Sequence, residues 1–218
     1  MNIELPDKFF YSSADRKARA YVKEGILFVE GHINFEDLMY SLAYTLKGYD
    51  KCYYCGRDLG TYQRTIDHLY PRTWGGVSIP NNLVPCCSRC NREKDCMTEQ
   101  QYRVYLRSKN RSVKDTIVRK FAIQNRKKCR DSFVLPRSWY EDYRIDRVAD
   151  DIDFSFLSRK AIRETTSYYK RHRHYKQPLV VSSNDWVFDG MRVLYHAKCH
   201  GIEVVPAIIL DNVVKIHV

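Results

Sequence analysis

The chain of 218 residues contains no run of about eighteen consecutive apolar residues. No membrane-spanning helix is therefore expected. Its opening, MNIELPDKFFYSSADRK, lacks a basic start followed by an apolar stretch. A secretory leader is not expected either, and the chain reads as cytoplasmic, within a bacterial cell. Glycine is scarce, at 9 residues, beside 17 tyrosines and 37 lysines and arginines, a balance that fits a phage or mobile-element protein. Acid is nearly missing from one segment. Residues 88–130 hold 4 acidic side chains against 14 basic ones. The net charge of +11 is accordingly uneven, with +10 on residues 1–130 and +1 on residues 131–218. Such an excess on one segment suits a polyanionic partner.

Eight cysteines admit a disulfide scaffold, but the spacing of four argues otherwise. Cys52/Cys55 and Cys87/Cys90 form two Cys-x-x-Cys pairs, the ligand pattern of a tetrahedral zinc ion in a reducing compartment. Cys86, Cys96, Cys129 and Cys199 read as reduced thiols. Cys86 competes with Cys87 for the fourth ligand position, and the spacing to Cys90 favours Cys87. Between and beside the pairs lie Asp67-His68, Asn81-Asn82 and Asn91. A carboxylate, an amide oxygen and water suit magnesium or manganese rather than zinc. The stretch thus reads as a structural zinc framing a second, catalytic metal. His68 is the natural general base, because imidazole titrates near neutral pH. Asp67, its neighbour on a strand, faces the other way and can reach a metal. Asn91, at the start of the following helix, offers an amide oxygen to the same ion. Arg92 and Lys94 are candidates to contact phosphate.

The pattern C-x2-C … DH … P … GG … NNL … C-x2-C-N-x2-K closely resembles the zinc-stapled branch of the HNH endonucleases. It is carried by Cys52, Cys55, Asp67, His68, Pro71, Gly75, Gly76, Asn81, Asn82, Leu83, Cys87, Cys90, Asn91 and Lys94, over residues 52–94. The third motif letter is often histidine and here is Asn91, so the site is an H-N-N variant. The resemblance implies a ββα-metal nuclease core. It also implies catalytic roles for His68, Asp67, Asn82 and Asn91, with Asn82 pinning the loop and orienting the histidine rather than touching metal.

Elsewhere the patterns are local. Gly25–Val29 reads as a strand. Asn34 caps a helix over FEDLMYSLAYTLK, in which Leu38, Leu42 and Leu46 form an apolar stripe. Residues 62–68 should form the first strand of a hairpin, with its partner near 77–79 and a helix from Ser88. Thr98-Glu-Gln-Gln101 is a capping box opening a helix over 99–109. A further helix over 113–130 would place Val113, Ile117 and Phe121 on one face and Arg119, Lys120, Arg126 and Lys127 on a DNA-facing one. A junction falls in 131–150. Beyond it the order is helix, strand, strand, helix and strand, with a fourth strand from Val213.

This last region, residues 145–218, is similar to the ParB/sulfiredoxin-like domain. The carrying residues are Pro178, Val180, Asp189, Gly190, Arg192, Ala197, Gly201, Glu203, Val205 and Pro206. In that family a DG-x-R segment at a helix start can hold nucleotide phosphate, which here would be Asp189, Gly190 and Arg192. A strand-to-helix turn that needs Gly190 for its backbone explains the same residues.

The fold expected is therefore α+β: an HNH nuclease domain with helical flanks over 1–130, and a small α/β domain over 145–218. The function expected is metal-dependent hydrolysis of DNA phosphodiester bonds, with structural Zn2+ and catalytic Mg2+ or Mn2+. One metal cuts one strand per engagement, so duplex cleavage needs a homodimer or two successive nicks. The competing expectation is a zinc-stabilised nucleic-acid-binding protein whose ParB-like domain binds or hydrolyses a nucleotide.

Overall fold

The structure, a computed structural model, describes residues 1–13, 17–60, 64–108, 112, 115, 116 and 135–216. The expected helix over 113–130, with Arg119, Lys120, Arg126 and Lys127, lies almost wholly outside the described residues, as does Cys129. The strands are β1 Phe10–Ser12, β2 Arg19–Lys23, β3 Ile26–Glu30, β4 Arg64–His68, β5 Leu83–Cys87, β6 Glu141–Arg144, β7 Leu179–Ser182, β8 Val187–Asp189, β9 Val204–Leu210 and β10 Val213–Ile216. The helices are α1 Phe35–Lys47, α2 Ser88–Lys94, α3 Glu99–Arg107, α4 Arg159–His172 and α5 Met191–Cys199. Among the described residues no helix is long and apolar enough to cross a membrane.

The chain divides into two compact units, one of Met1–Leu38 with Pro136–Val218, the other of Met39–Leu135. This corrects the grouping of residues 1–130 as one domain, since the first 38 residues fold with the C-terminal third. The cause is a strand pairing that local sequence does not reveal. Strand β10 lies parallel to β3, with Val213 opposite Leu27 and Lys215 opposite Val29.

In the first unit β1, β2 and β3 form an antiparallel meander, and β10 completes the sheet in the order β1-β2-β3-β10. Ala20, Leu27, Val29 and Val213 are all fully buried, as expected of alternate residues facing one core. On the other face Tyr21 stacks on Phe28, with ring centroids 5.4 Å apart, and Arg19 pairs with Glu30. A second sheet has the order β6-β9-β7-β8. Its centre is a parallel pair, Val180 opposite Ile208, while β6 and β8 join antiparallel at the edges. Helix α5 packs Val193, Leu194 and Ala197 into a core with Leu179, Val181, Tyr143 and Ala207. Ser158 caps α4, its hydroxyl accepting from the Ala161 amide at 3.2 Å.

In the second unit β4 and β5 pair antiparallel, with Asp67 opposite Val84 and His68 opposite Leu83. Helix α2 follows β5 directly, its first free amides met by the Cys87 side chain as N-cap. The expected capping box opens α3, with Thr98 and Gln101 exchanging side-chain and backbone bonds. One expectation is overturned. The partner of β4 is Leu83–Cys87, not a strand near 77–79. Residues 77–79 are buried but run as loop, with the Val77 and Ile79 carbonyls met by Asn82 and the Ser78 hydroxyl by His68 rather than by a ladder.

Candidate functional site

The four thiols come together as the spacing implies. The sulfur atoms of Cys52, Cys55, Cys87 and Cys90 lie within 4.8 Å of one another. A tetrahedral zinc with Zn–S bonds of about 2.3 Å requires sulfurs about 3.8 Å apart, so the cluster fits the ion with small adjustments. Cys55 and Cys87, for example, are 4.0 Å apart. Gly56 turns the first pair, with φ +69° and its amide bonded to Cys52 O at 2.8 Å. Burial works against the Cys52 thiolate, but amides of Cys87, Cys55 and Tyr54 outweigh it and bring the thiol down to about 7. Burial first, and neighbouring sulfurs after it, push Cys90 up. Ionising all four thiols therefore needs a cation to neutralise them. Cys86 does not join the cluster. It is fully buried on the strand's other face, 3.2 Å from Thr65 Oγ1, and burial pushes its thiol up to about 12.

The Asp67-His68 pair ends β4, and alternation along the strand separates the two side chains. Both are more than nine-tenths buried. Asp67 Oδ2 accepts from the Tyr54 hydroxyl at 2.5 Å and from Lys94 Nζ at 3.0 Å. Asp67 Oδ1 accepts from Lys94 at 3.3 Å. Lys94 Nζ also donates to His68 O at 2.7 Å. His68 Nε2 lies 3.0 Å from Ser78 Oγ, and the Tyr40 ring meets the imidazole edge-on at 6.4 Å. Asn91 Nδ2 donates to Ile66 O at 3.2 Å, which ties α2 to β4 one residue before the acid. That bond leaves the Asn91 amide oxygen as acceptor. Asp67 Oδ1, with one long bond, retains a lone pair as well. Two hard oxygens from β4 and α2 could thus hold a magnesium or manganese ion together with water.

Asn82 is fully buried and closes the loop between the strands. Its Oδ1 accepts from Tyr70 N at 2.8 Å, and its Nδ2 donates to Tyr70 O at 3.1 Å and Val77 O at 2.9 Å. Gly76 sits so close to the start of this loop that a Cβ would lie 1.8 Å from Tyr70 O. Lys47, the last residue of α1, fastens the loop's far end by donating to Pro80 O at 2.7 Å and Leu83 O at 2.8 Å.

Residues 52–105 match the HNH endonuclease family. No curated protein matches the chain. The HNH segment runs from the first zinc ligand pair to Tyr105 in α3, about a quarter of the chain, and contains the Asp67-His68 pair, Asn82 and Asn91.

Two of the expected phosphate contacts part company here. Arg92 is exposed and lines an open cleft with Thr65, Ser88, Asn91 and Asp95. Lys94 is fully buried on Asp67 and cannot reach a phosphate in solution. Sequence reading missed Tyr54 and Ser78 altogether. The signal for Tyr54 was its place inside the first Cys-x-x-Cys, but nothing local says which of Tyr53 and Tyr54 turns inward. In the other unit, Asp189 Oδ1 accepts from Gly190 N at 2.6 Å, and Arg192 is exposed. Gly190 has φ +88°, and a Cβ there would lie 2.9 Å from Leu179 Cδ2. Backbone conformation and packing both require this glycine, with no ligand involved.

Proposed function

We propose that this protein is an HNH endonuclease that hydrolyses DNA phosphodiester bonds, with zinc as its structural metal. The observation that carries the reading is one of construction. The strand bearing Asp67-His68 pairs with the strand bearing Cys87, and the helix capped by Cys87 brings Asn91 back to bond β4. The zinc frame and the acid/base pair are therefore one structural piece, and it coincides with the segment that matches the family.

In this reading His68 accepts the proton of the attacking water, its ring held by Ser78 and by the edge of Tyr40. Asp67 and Asn91 would hold the divalent ion through their side-chain oxygens. A bound magnesium or manganese ion supplies positive charge at the scissile phosphate and the leaving 3′ oxygen. Asn82 keeps Ser78 and the loop against His68. Arg92, exposed beside Asn91, meets the phosphate backbone. Residues 145–218 are proposed as ParB/sulfiredoxin-like, a reading supported by the run β7–β8–α5–β9.

The test is cleavage of supercoiled plasmid with Mg2+ or Mn2+, beside EDTA and the His68→Ala protein. The expected result is open-circle or linear product in the wild type alone. Cleavage that survives His68→Ala, or DNA binding with no His68-dependent cleavage under any metal, would favour a zinc-stapled binding module instead.

A further inference from the structure

We infer that the zinc frame does more than hold the fold. Tyr54 and Lys94, one from each zinc-binding arm, form a clamp that positions the Asp67 carboxylate for its metal. The inference rests on the nuclease reading and adds two positioning residues to it.

Tyr54 is the residue before Cys55 in the first Cys-x-x-Cys pair, and Lys94 ends the helix capped by Cys87 of the second. The two reach Asp67 from opposite arms, through bonds of 2.5 Å and 3.0 Å to the same oxygen, Oδ2. Oδ1 carries only the longer Lys94 bond, at 3.3 Å, and is the oxygen that retains a lone pair for a ligand. A carboxylate held at one oxygen presents the other in one orientation, at little entropic cost when metal binds. Neither clamp residue has somewhere else to go. Lys94 is fully buried and also bonded to His68 O at 2.7 Å, so one ammonium fixes both members of the Asp67-His68 pair. Tyr54 is wedged edge-on between Tyr53 and Tyr102, with centroids 5.2 Å and 5.0 Å away. Its backbone is set by the ligand turn, where Tyr53 N bonds Pro85 O at 3.0 Å and Gly56 N bonds Cys52 O at 2.8 Å. A buried lysine alone would neutralise the carboxylate. The hydroxyl on the same oxygen as the ammonium makes the arrangement directional.

The experiment measures Mn2+ binding to the full-length zinc-loaded protein by electron paramagnetic resonance, together with zinc content and the kcat and KM of cleavage. The proteins are wild type, Asp67→Ala, Tyr54→Phe and Tyr53→Phe. Loss of an orienting bond to a metal ligand weakens binding about 10- to 100-fold. Tyr54→Phe should therefore weaken Mn2+ by about 10-fold or more and lower kcat with KM for DNA unchanged. It should keep one zinc per chain, because it removes no ligand. Tyr53→Phe, one residue away and exposed, should match the wild type. If the wild type binds Mn2+ through Asp67 and Tyr54→Phe binds it equally well, the clamp is refuted while the nuclease reading stands. Loss of zinc from Tyr54→Phe would also refute it, by making the hydroxyl part of the zinc fold. A wild type with no Asp67-dependent Mn2+ site overturns both.

Discussion

Asn82 offers the sharpest test of how the HNH segment holds its acid/base pair. Its amide satisfies three backbone groups at once: Tyr70 N, Tyr70 O and Val77 O. In Asn82→Ala all three lose that bond, and Val77 O keeps only the Ile79 amide at 3.1 Å. The two Tyr70 groups are half-buried and should cost about 1 kcal/mol each, and the Val77 carbonyl, which keeps the Ile79 amide, about 1 kcal/mol as well. The expected loss is therefore about 3 kcal/mol, a large share of the stability of a small unit. Asn82→Asp separates hydrogen bonding from volume. It keeps the acceptor for Tyr70 N but turns a carboxylate oxygen toward two carbonyls, so it should cost at least as much as alanine. Because the chain has two units, a single two-state transition is not expected. The assay should follow the Met39–Leu135 unit alone, through zinc released to a chromogenic chelator during urea titration. With a slope of about 2 kcal/mol per molar urea, the midpoint should fall by about 1.5 M in Asn82→Ala. The same loop carries Ser78, the partner of His68, so cleavage should fall with stability even in conditions where zinc is retained. A loss under about 1 kcal/mol, or an aspartate tolerated better than alanine, would refute the reasoning and mean that something else satisfies the loop.

Other expectations follow from single contacts. Metal analysis should find one zinc per chain, retained in Cys86→Ser and lost in Cys87→Ser, since only Cys87 joins the cluster. Native Cys86 should resist alkylation at neutral pH, because burial holds its thiol up at about 12. Gly76→Ala should destabilise the same unit by more than an ordinary surface change, since the new Cβ would lie 1.8 Å from Tyr70 O; urea titration of zinc release checks this. In the other unit, burial foremost, then His200 and Lys170, hold buried His196 below its ordinary value of 6.5. The unfolded chain then takes up a proton that the folded one refuses. The stability from neutral His196 is fully present above about pH 6.5 and is lost as pH falls from there toward the depressed folded value. Thermal melting between pH 5 and 8 should show that slope in the wild type and a shallower one in His196→Gln.

In both units, much was legible where the signals are local. A Cys-x-x-Cys spacing brings two thiols to one turn whatever surrounds it, and the predicted cluster of four forms. Caps act within one helical turn, so Asn34 and Thr98 both stand where their side chains bond helix amides. The strands at Leu179, Val187 and Val204 follow from apolar runs between turn residues. Strands β1, β2 and β6 were missed for the converse reason. They are short, β2 and β6 are rich in charge, each has one or no fully buried residue, and they gain their strand character from a neighbour. The partner of β4 was misplaced by several residues because Leu83–Cys87 is buried along its whole length and shows no alternation to read.

The amino-acid sequence by itself determined the four-cysteine cluster, the placing of Asp67-His68 between its two halves and the ends of most helices. Each depends on residues a few positions apart, where covalent geometry limits the outcomes. Only the tertiary structure decided that Lys94 lies buried on Asp67 rather than out on a phosphate. It also turned Tyr54 inward while leaving Tyr53 exposed. It joined β10 to β3 across most of the chain, drawing the first 38 residues to the C-terminal unit. Those outcomes were set by which groups must share a buried site. A charge taken out of water needs its opposite there, and a strand edge needs a partner, wherever in the chain either is found.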